Sequence, residues 1–365
     1  MKIFIKRHNL VAYLSTKLLA TIFGTALLLT TIMEALVLLD QLNSILERHL
    51  GTIGVLHYMM LRLPMLFSSI LPLSTLIGSL IALTQLTLNN EITTLRSAGL
   101  STFDLFIKLL PVPLILSGLC FIFYDQITPK TELNLAVWWN KSDPNPQKGK
   151  EFYFYQNFDI ISIGYLTYGG NKIVDLNIYK RKNFSHLESI LTAKEANYCH
   201  RKWILSDAKI LNLDHSSNLN FKKITINQPL IWQTNLTPKI LVRLSSVNIP
   251  QSLHTISHQL FNRYPLRTPT NSLKTTIWQR FFLPLTFIIM IIISLPVTFI
   301  PPRAGLKSWL PIYCLSCGLF FIIFQEVLNA LGKAGTLPPP MAVIPSILIF
   351  LLAASAIILT IEEKP

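Results

Sequence analysis

Six long apolar runs, divided three and three by a polar stretch with strand patterning, constrain this chain more than any other feature. The runs cover residues 18–39, 59–88 and 105–124 before that stretch, and 281–300, 310–330 and 341–361 after it. Each has about the 20 residues that cross ~30 Å of hydrocarbon at 1.5 Å per residue. Hydrocarbon cannot hydrate backbone amides, so the runs are expected as helices. Their internal Pro and Gly are ordinary there, because neighbouring helices satisfy the freed backbone groups. Hydrophobic residues make up 51% of the chain and charged residues 14%, with a mean hydropathy of +0.46, too apolar for a soluble protein of 365 residues. Lys2, Lys6 and Arg7 could open a signal peptide, but the run after them is too long and no A-x-A-like site closes it. The first run is therefore read as a retained helix.

Lysine and arginine in short loops set the orientation. With the N-terminus in the cytoplasm, the cytoplasmic pieces carry Lys2, Lys6, Arg7, Arg96, Arg303, Lys307 and Lys364, against only Arg48 and Lys333 in the short outer loops. The C-terminus is then also cytoplasmic, and the insert lies outside. The net charge of +14 belongs mostly to that insert, where the basic residues are scattered rather than clustered. They serve either as a solubilising surface or as an affinity for anionic lipid or saccharide phosphate; nucleic acid is not an expected partner. Of Cys120, Cys199, Cys314 and Cys317, only Cys199 falls in the insert, so no disulfide can form within it. The spacing of Cys314 and Cys317 is that of a redox or metal motif. Inside an apolar run, beside Ser316 and Gly318, it is read as small-residue helix packing.

From Glu151 onward the period changes. Residues 152–163 are aromatic and β-branched, with Tyr155 and Ile163 expected to point inward. Turns are expected at residues 168–171, 181–183, 200–202 and 214–217, with strands in the run that holds Ile173, Leu176 and Ile178 and over 187–196, 203–206, 208–213 and 221–226. Strands at 8–12-residue spacing without intervening helices indicate an antiparallel sandwich or open jelly roll. The residues alone favour a closed core; a shell that stayed open could hold acyl chains, and its edges could pair with strands of another protein. Residues 143–149 and 262–274 read as linkers, and 253–264 as a short amphipathic helix at the membrane surface.

Local motifs narrow the class. Between the second and third runs stands Asn90-Glu91-Ile92-Thr93-Thr94-Leu95-Arg96-Ser97-Ala98-Gly99-Leu100. Asp40-Gln41-Leu42 ends the first run, Trp232-Gln233-Thr234-Asn235-Leu236-Thr237-Pro238 lies late in the insert, and Trp278-Gln279-Arg280-Phe281-Phe282-Leu283-Pro284-Leu285 opens the fourth run. In this order and layout they resemble the LptF/LptG family, the paired permeases of the lipopolysaccharide-transport ABC exporter, and the G member more than the F member. The resemblance covers essentially the whole chain.

That resemblance implies a polytopic α-helical inner-membrane protein with six spans and an inserted all-β periplasmic jellyroll-like domain. Its parts would be a first membrane half at 1–128, a β-domain with its linkers at 129–274 and a second membrane half at 275–365. It implies a paired LptF-like permease, a cytoplasmic LptB-like ATPase dimer and a periplasmic LptC-like bridge protein, with lipopolysaccharide and membrane lipids as the other partners. The insert would conduct acyl chains through a greasy interior. Residues 89–101 would be the cytoplasmic coupling helix, with Ile92 and Leu95 docking in a groove of the ATPase and Glu91 pairing with a basic residue there. Arg96, Ser97, Ala98 and Gly99 complete that motif.

Ionisable residues inside the runs form a second set of candidates, since each costs ~2.5–3.5 kcal/mol if it faces lipid at mid-depth. Glu34, Arg62 and the Gln325-Glu326 pair should therefore face a cavity or a partner helix. The resemblance places lateral gates on the first and fifth helices, where Glu34, Asp40, Gln325 and Glu326 lie; Arg62 and Arg280 join the same substrate-cavity set. Better-known members carry lysines where this chain has Val37 and Met65, and Arg62, about one turn before Met65, is the residue that could substitute as a phosphate contact. Helix-to-helix polar pairing is the plainer role for all of these.

No catalytic residue, cofactor or metal is expected. The chain lacks G-x-x-x-x-G-K-[ST], so energy must come from a separate ATPase. His186, His200, His215, His254 and His258 are not organised by H-E-x-x-H, G-x-S-x-G or paired-ligand spacing. A permease for another envelope lipid and a membrane-anchored envelope enzyme are the competing classes. Finding the ATPase in a mild-detergent pull-down separates them.

Overall fold

The computed structural model describes residues 2–144, 151–156, 158–183, 186–212, 222–226, 230–246, 249–261, 267–300 and 308–362. The expected linkers at 143–149 and 262–274 and the turn at 214–217 fall wholly or partly outside them. Two compact units emerge. One comprises Met1–Val37, Leu63–Tyr124 and Pro269–Pro365; the other comprises Leu38–Arg62 and Asp125–Thr268.

Helices α1 (Lys2–Glu47) and α2 (Gly51–Leu88) outrun the apolar stretches that announce them. At 1.5 Å per residue α1 is about 69 Å long, more than twice a hydrocarbon core. A short helix α3 (Glu91–Ser97) follows, then α4 (Thr102–Leu109), α5 (Pro111–Ile122), a π turn at Phe123–Ile127 and α6 (Thr128–Lys141). Pro111 divides α4 from α5 because it lacks the amide a continuous helix needs. After the β-domain come α9 (Thr270–Ser294) with a 3-10 turn at Leu295–Phe299, α10 (Leu310–Ala334) and α11 (Pro339–Glu362). Among the described residues six spans are long and apolar enough to cross a membrane: Leu10–Glu47, Gly51–Leu88, Thr102–Lys141, Thr270–Phe299, Leu310–Ala334 and Pro339–Ile357.

Small residues let these helices approach. A Cβ on Gly78 of α2 would sit 2.6 Å from the Ile22 Cα of α1, and the Leu76 side chain occupies the space beside Gly318 of α10. Cys314 is buried in the same bundle, and Cys314 and Cys317 are both free thiols. Pro72, inside α2, leaves the carbonyl of Ser68 without its usual amide donor, and the Cys120 thiol donates to that oxygen at 3.6 Å.

In the second unit the described strands form one antiparallel eight-stranded sheet. They are β1 (Phe152–Gln156), β2 (Asp159–Thr167), β3 (Lys172–Asn183), β4 (His186–Cys199), β5 (Lys202–Ser206), β6 (Ala208–Asn212), β7 (Lys222–Ile226) and β8 (Leu230–Trp232). The main order is β1-β2-β3-β4-β5-β8, with β6 also on β4 and β7 on β6. The 14-residue β4 makes that fork possible: Glu195 to Cys199 pair with β5, and Ser189 to Thr192 pair with β6. Asp207, at φ 56°, turns the chain between the two. His200 and Arg201, both at positive φ, make the two-residue hairpin into β5.

Two local expectations change. Residues 181–183 are strand, and β3 meets β4 through Asn183 and His186, so the reversal comes later than the basic triplet suggested. Tyr155 is 44% exposed, because Phe152 and Phe154 take the inward positions of β1; Ile163 does point inward. Two elements appear that were not expected: the three-residue β8 and helix α7 (Pro238–Ser245). Leu241, Val242 and Leu244 of α7 complete the apolar cluster on the inner face of the sheet, together with Phe154, Ile163, Ile173, Leu176 and Trp203. The Trp203 Nε1 donates to the Leu236 carbonyl at 2.8 Å, and Arg267 donates to the carbonyls of Leu244 and Ser245 that end α7. Helix α8 (Leu253–Leu260) occupies the expected amphipathic segment, with the Ser252 side chain accepting from the Thr255 amide.

Candidate functional site

The short helix between the second and third spans is built from local signals. Asn90 at its N-cap adopts the left-handed region, φ 60°. Gly99, at φ 89°, closes the C-terminus: its amide bonds the Arg96 carbonyl at 2.9 Å and the Leu100 amide reaches Leu95 at 3.2 Å, a Schellman pattern that suits glycine. Ser101 and Asp104 then form a reciprocal capping box that starts α4.

Seven residues make too short a helix to stand alone in water, and α3 is held by tertiary contacts. Ile92 is only 1% exposed and packs with Leu14, Leu18, Leu86, Leu105 and Leu295. At the N-terminal end the Glu91 carboxylate accepts from Lys17 Nζ at 2.9 Å and from the Tyr13 hydroxyl at 2.9 Å, both on α1. The Lys17 hydrogen bond, with Tyr13 adding to it, holds the Glu91 carboxyl below the ordinary glutamate value. Lys17 and Glu91 remain 24% and 30% exposed, so the pair contributes on the order of 0–1 kcal/mol. At the other end Arg96 donates to Thr298 Oγ1 at 3.0 Å, and its guanidinium stands 4.0 Å from the Phe299 ring centroid, in the 3-10 turn after α9.

The outward surface of this segment therefore differs from the expected docking face. Ile92 is used inside the chain and Leu95 is half-buried, while Thr93, Thr94, Ser97, Ala98 and Gly99 are exposed. Tyr13, Lys17, Thr298 and Phe299 belong to the site although no motif marks them. The one sequence signal was Lys17 standing a helical turn after Tyr13, just before the first apolar run.

The charges within the spans divide between the two units. Glu34, Arg280, Gln325 and Glu326 belong to the first unit, Asp40 and Arg62 to the second. Glu34 is 4% exposed and Arg280 7% exposed. Gln325 donates to Thr286 Oγ1 of α9 at 3.3 Å, and Glu326 is contacted at 3.5 Å by the buried Asn329. In the second unit Gln41 donates to Asp40 at 2.9 Å. Arg62 pairs at 2.9 Å with Glu132 of α6, an acid that sequence reasoning passed over because it lies beyond the apolar run. Glu132 is 5% exposed, so its ion pair with Arg62 is what allows a carboxylate to be buried there.

Arg48 donates to the Trp139 carbonyl at 2.6 Å, stacks 4.2 Å from that indole and pairs with Asp143 at 3.4 Å. With Trp138, His57 and Tyr58 packed alongside, this is the composition of a membrane–water boundary. Among the described residues no three His, Cys, Asp or Glu side chains converge as metal ligands. His254 and His258, one turn apart on α8, place their Nε2 atoms 3.1 Å from each other.

Comparison with known proteins bears on the whole chain. A family model described as lipopolysaccharide export system permease LptF/LptG matches residues 12–360. The lipopolysaccharide export system permease protein LptG of Escherichia coli (strain K12) is 22% identical over 354 residues, covering 93% of this chain and 95% of that protein. The protein of the same name from Haemophilus influenzae (strain ATCC 51907 / DSM 11121 / KW20 / Rd) is 22% identical over 363 residues, covering 93% and 96%.

Proposed function

The chain belongs to the LptF/LptG family of lipopolysaccharide export permeases, and from that premise we propose that it is the G-type permease subunit of an ABC exporter. It extracts lipopolysaccharide from the inner membrane and hands it, through its β-domain, to a periplasmic bridge toward the outer membrane. A paired LptF-like permease completes the membrane cavity, an LptB-like ATPase dimer supplies the energy and an LptC-like β-domain receives the lipid. Both termini lie in the cytoplasm and the β-domain in the periplasm. The working parts are residues 1–128 and 275–365 in the membrane and 129–274 outside it.

The observation that carries this reading is the near-complete family match over a chain whose six candidate spans flank one antiparallel sheet. The relatives named LptG support the G-type assignment. The α3 segment, with Glu91, Arg96 and the exposed Ser97 on one short helix and the exposed Ala98 and Gly99 at its C-terminal cap, supports ATPase coupling at residues 89–101. Glu34, Asp40, Arg62, Arg280, Gln325 and Glu326 are proposed to line the lipid cavity or its gates, with Arg62 acting there as the Glu132-bound cation rather than as an isolated phosphate contact.

Photocrosslinking from Ile163 tests the reading. In membranes holding the assembled exporter, a photoreactive side chain there should capture lipopolysaccharide in an ATP-dependent way, whereas one at the outward Tyr155 should not. Equal capture at both sites, or capture that ignores ATP, would reject passage through the β-domain. Capture of a phospholipid alone would favour another envelope lipid as the cargo.

A further inference from the structure

Helix α3 is tied at its two ends to opposite halves of the chain. Its first residue, Glu91, accepts from Tyr13 and Lys17 on the first span, and Arg96 engages Thr298 and Phe299 at the end of the fourth. These residues are 74 and 202 positions apart in sequence for the Lys17–Glu91 and Arg96–Thr298 contacts, and both ties lie in one compact unit. Between them Ile92 seats the helix in the bundle core, so α3 is held at its middle as well as at its ends.

The two ties differ in kind. Arg96 combines a hydrogen bond with a guanidinium–ring contact, which keeps its geometry. The Lys17–Glu91 pair is partly open to water, its side chains 24% and 30% exposed, so a cation from outside can reach the carboxylate and compete for it. A contact of so little net strength adds scarcely anything to the fold. It is well suited to being broken and remade.

We propose that Tyr13 and Lys17 on one side, and Thr298 with Phe299 on the other, are positioning residues that carry movement of α3 into the first and fourth spans, with Glu91 exchanging Lys17 for a basic group of the ATPase in each cycle. When Glu91 turns to the ATPase, the first span loses its polar tie to α3 and keeps only the apolar contact around Ile92, while the Arg96 tie to the fourth span persists. When the ATPase withdraws, Lys17 and Tyr13 recapture the carboxylate and the first span returns. The two halves of the bundle are thereby moved in sequence by one helix. This inference rests on the proposed ATPase coupling but assigns residues outside the 89–101 segment.

The test uses the complete exporter in proteoliposomes containing lipopolysaccharide, recording ATP hydrolysis and lipid delivered to an acceptor. Lys17→Met should still co-purify the ATPase and hydrolyse ATP, yet deliver about fivefold less lipid per ATP. Lys17→Arg should restore the ratio, since it keeps a donor for Glu91. Tyr13→Phe and Thr298→Val each remove one hydroxyl with little change of volume and should lower the ratio in the same direction, so a poorly folded Lys17→Met protein would not shelter the proposal. An unchanged ratio in all three, with the ATPase bound, overturns the inference while leaving the coupling reading intact. Absence of the ATPase from the wild-type complex would sink the coupling reading itself, and the inference with it.

Discussion

Glu91 keeps its charge more readily than a free carboxylate because Lys17 and Tyr13 both donate to it. A depressed folded value means that the pair stabilises the fold above the ordinary glutamate value of about 4.3, and that this contribution disappears as pH falls through the lower folded value. We expect the stability gap between wild type and Lys17→Met to be at most about 1 kcal/mol, given the exposure of both side chains. It should stay flat from neutral pH to about 5 and close in more acidic buffer. Thermal unfolding in detergent across that range measures it, and a gap that widened on acidification would contradict the pairing. Arg62 and Glu132 are a different case: with Glu132 5% exposed, loss of the arginine would strand a buried charge, at about 3–5 kcal/mol. Residue types alone showed that charges in apolar runs need partners; the partners themselves were legible only once the helices were packed.

Elements in the bundle are fitted to each other by small residues at particular positions. Gly78 faces the backbone of Ile22 at 2.6 Å from where its Cβ would stand, whereas a Cβ on Gly24 meets nothing within 4 Å. Gly78→Ala should therefore push α1 from α2 and destabilise by about 1–3 kcal/mol. Gly24→Ala should be neutral or stabilising by up to about 1 kcal/mol, because alanine is the better helix former. Comparing the melting temperatures of the two variants decides it; equal losses would mean that α1 and α2 do not pack through Gly78. The strands show how far local pattern reaches. Residue type and turn signals identified β3 to β7 approximately, but nothing marked the hairpin that splits residues 152–163 into β1 and β2; β8 is only three residues long, and α7 lies in a stretch where Thr237-Pro238 was the sole start signal. The turn expected at residues 181–183 is strand because pairing with β4 extends β3 past the basic residues.

On the scale of the whole molecule, the natural cysteines report orientation. Cys199 is exposed at the β4–β5 hairpin, while Cys120 and Cys314 are buried in the bundle. If the β-domain lies in the periplasm as proposed, a membrane-impermeant maleimide added outside an intact inner membrane should label Cys199 promptly. Ser97→Cys, on the exposed side of α3, should react only after the membrane is permeabilised. The reverse pattern would place α3 on the side away from any cytoplasmic ATPase and end the proposed coupling. At this scale the six spans, the position of the sheet between them and the family itself were readable from hydropathy and motif order.

Hydropathy, periodicity and turn chemistry act between residues close in the chain, and so the amino-acid sequence by itself determined which segments enter a membrane, which form strands and in what order. Contacts between residues 70, 74 or 202 positions apart were decided only by tertiary packing: Arg62 with Glu132, Lys17 with Glu91, Arg96 with Thr298. The same holds for the inward burial of Ile92, the fork at β4 and the seating of α7 on the inner face of the sheet. Each depends on which surfaces meet when the apolar area is buried, a property of the assembled shape that no local window contains.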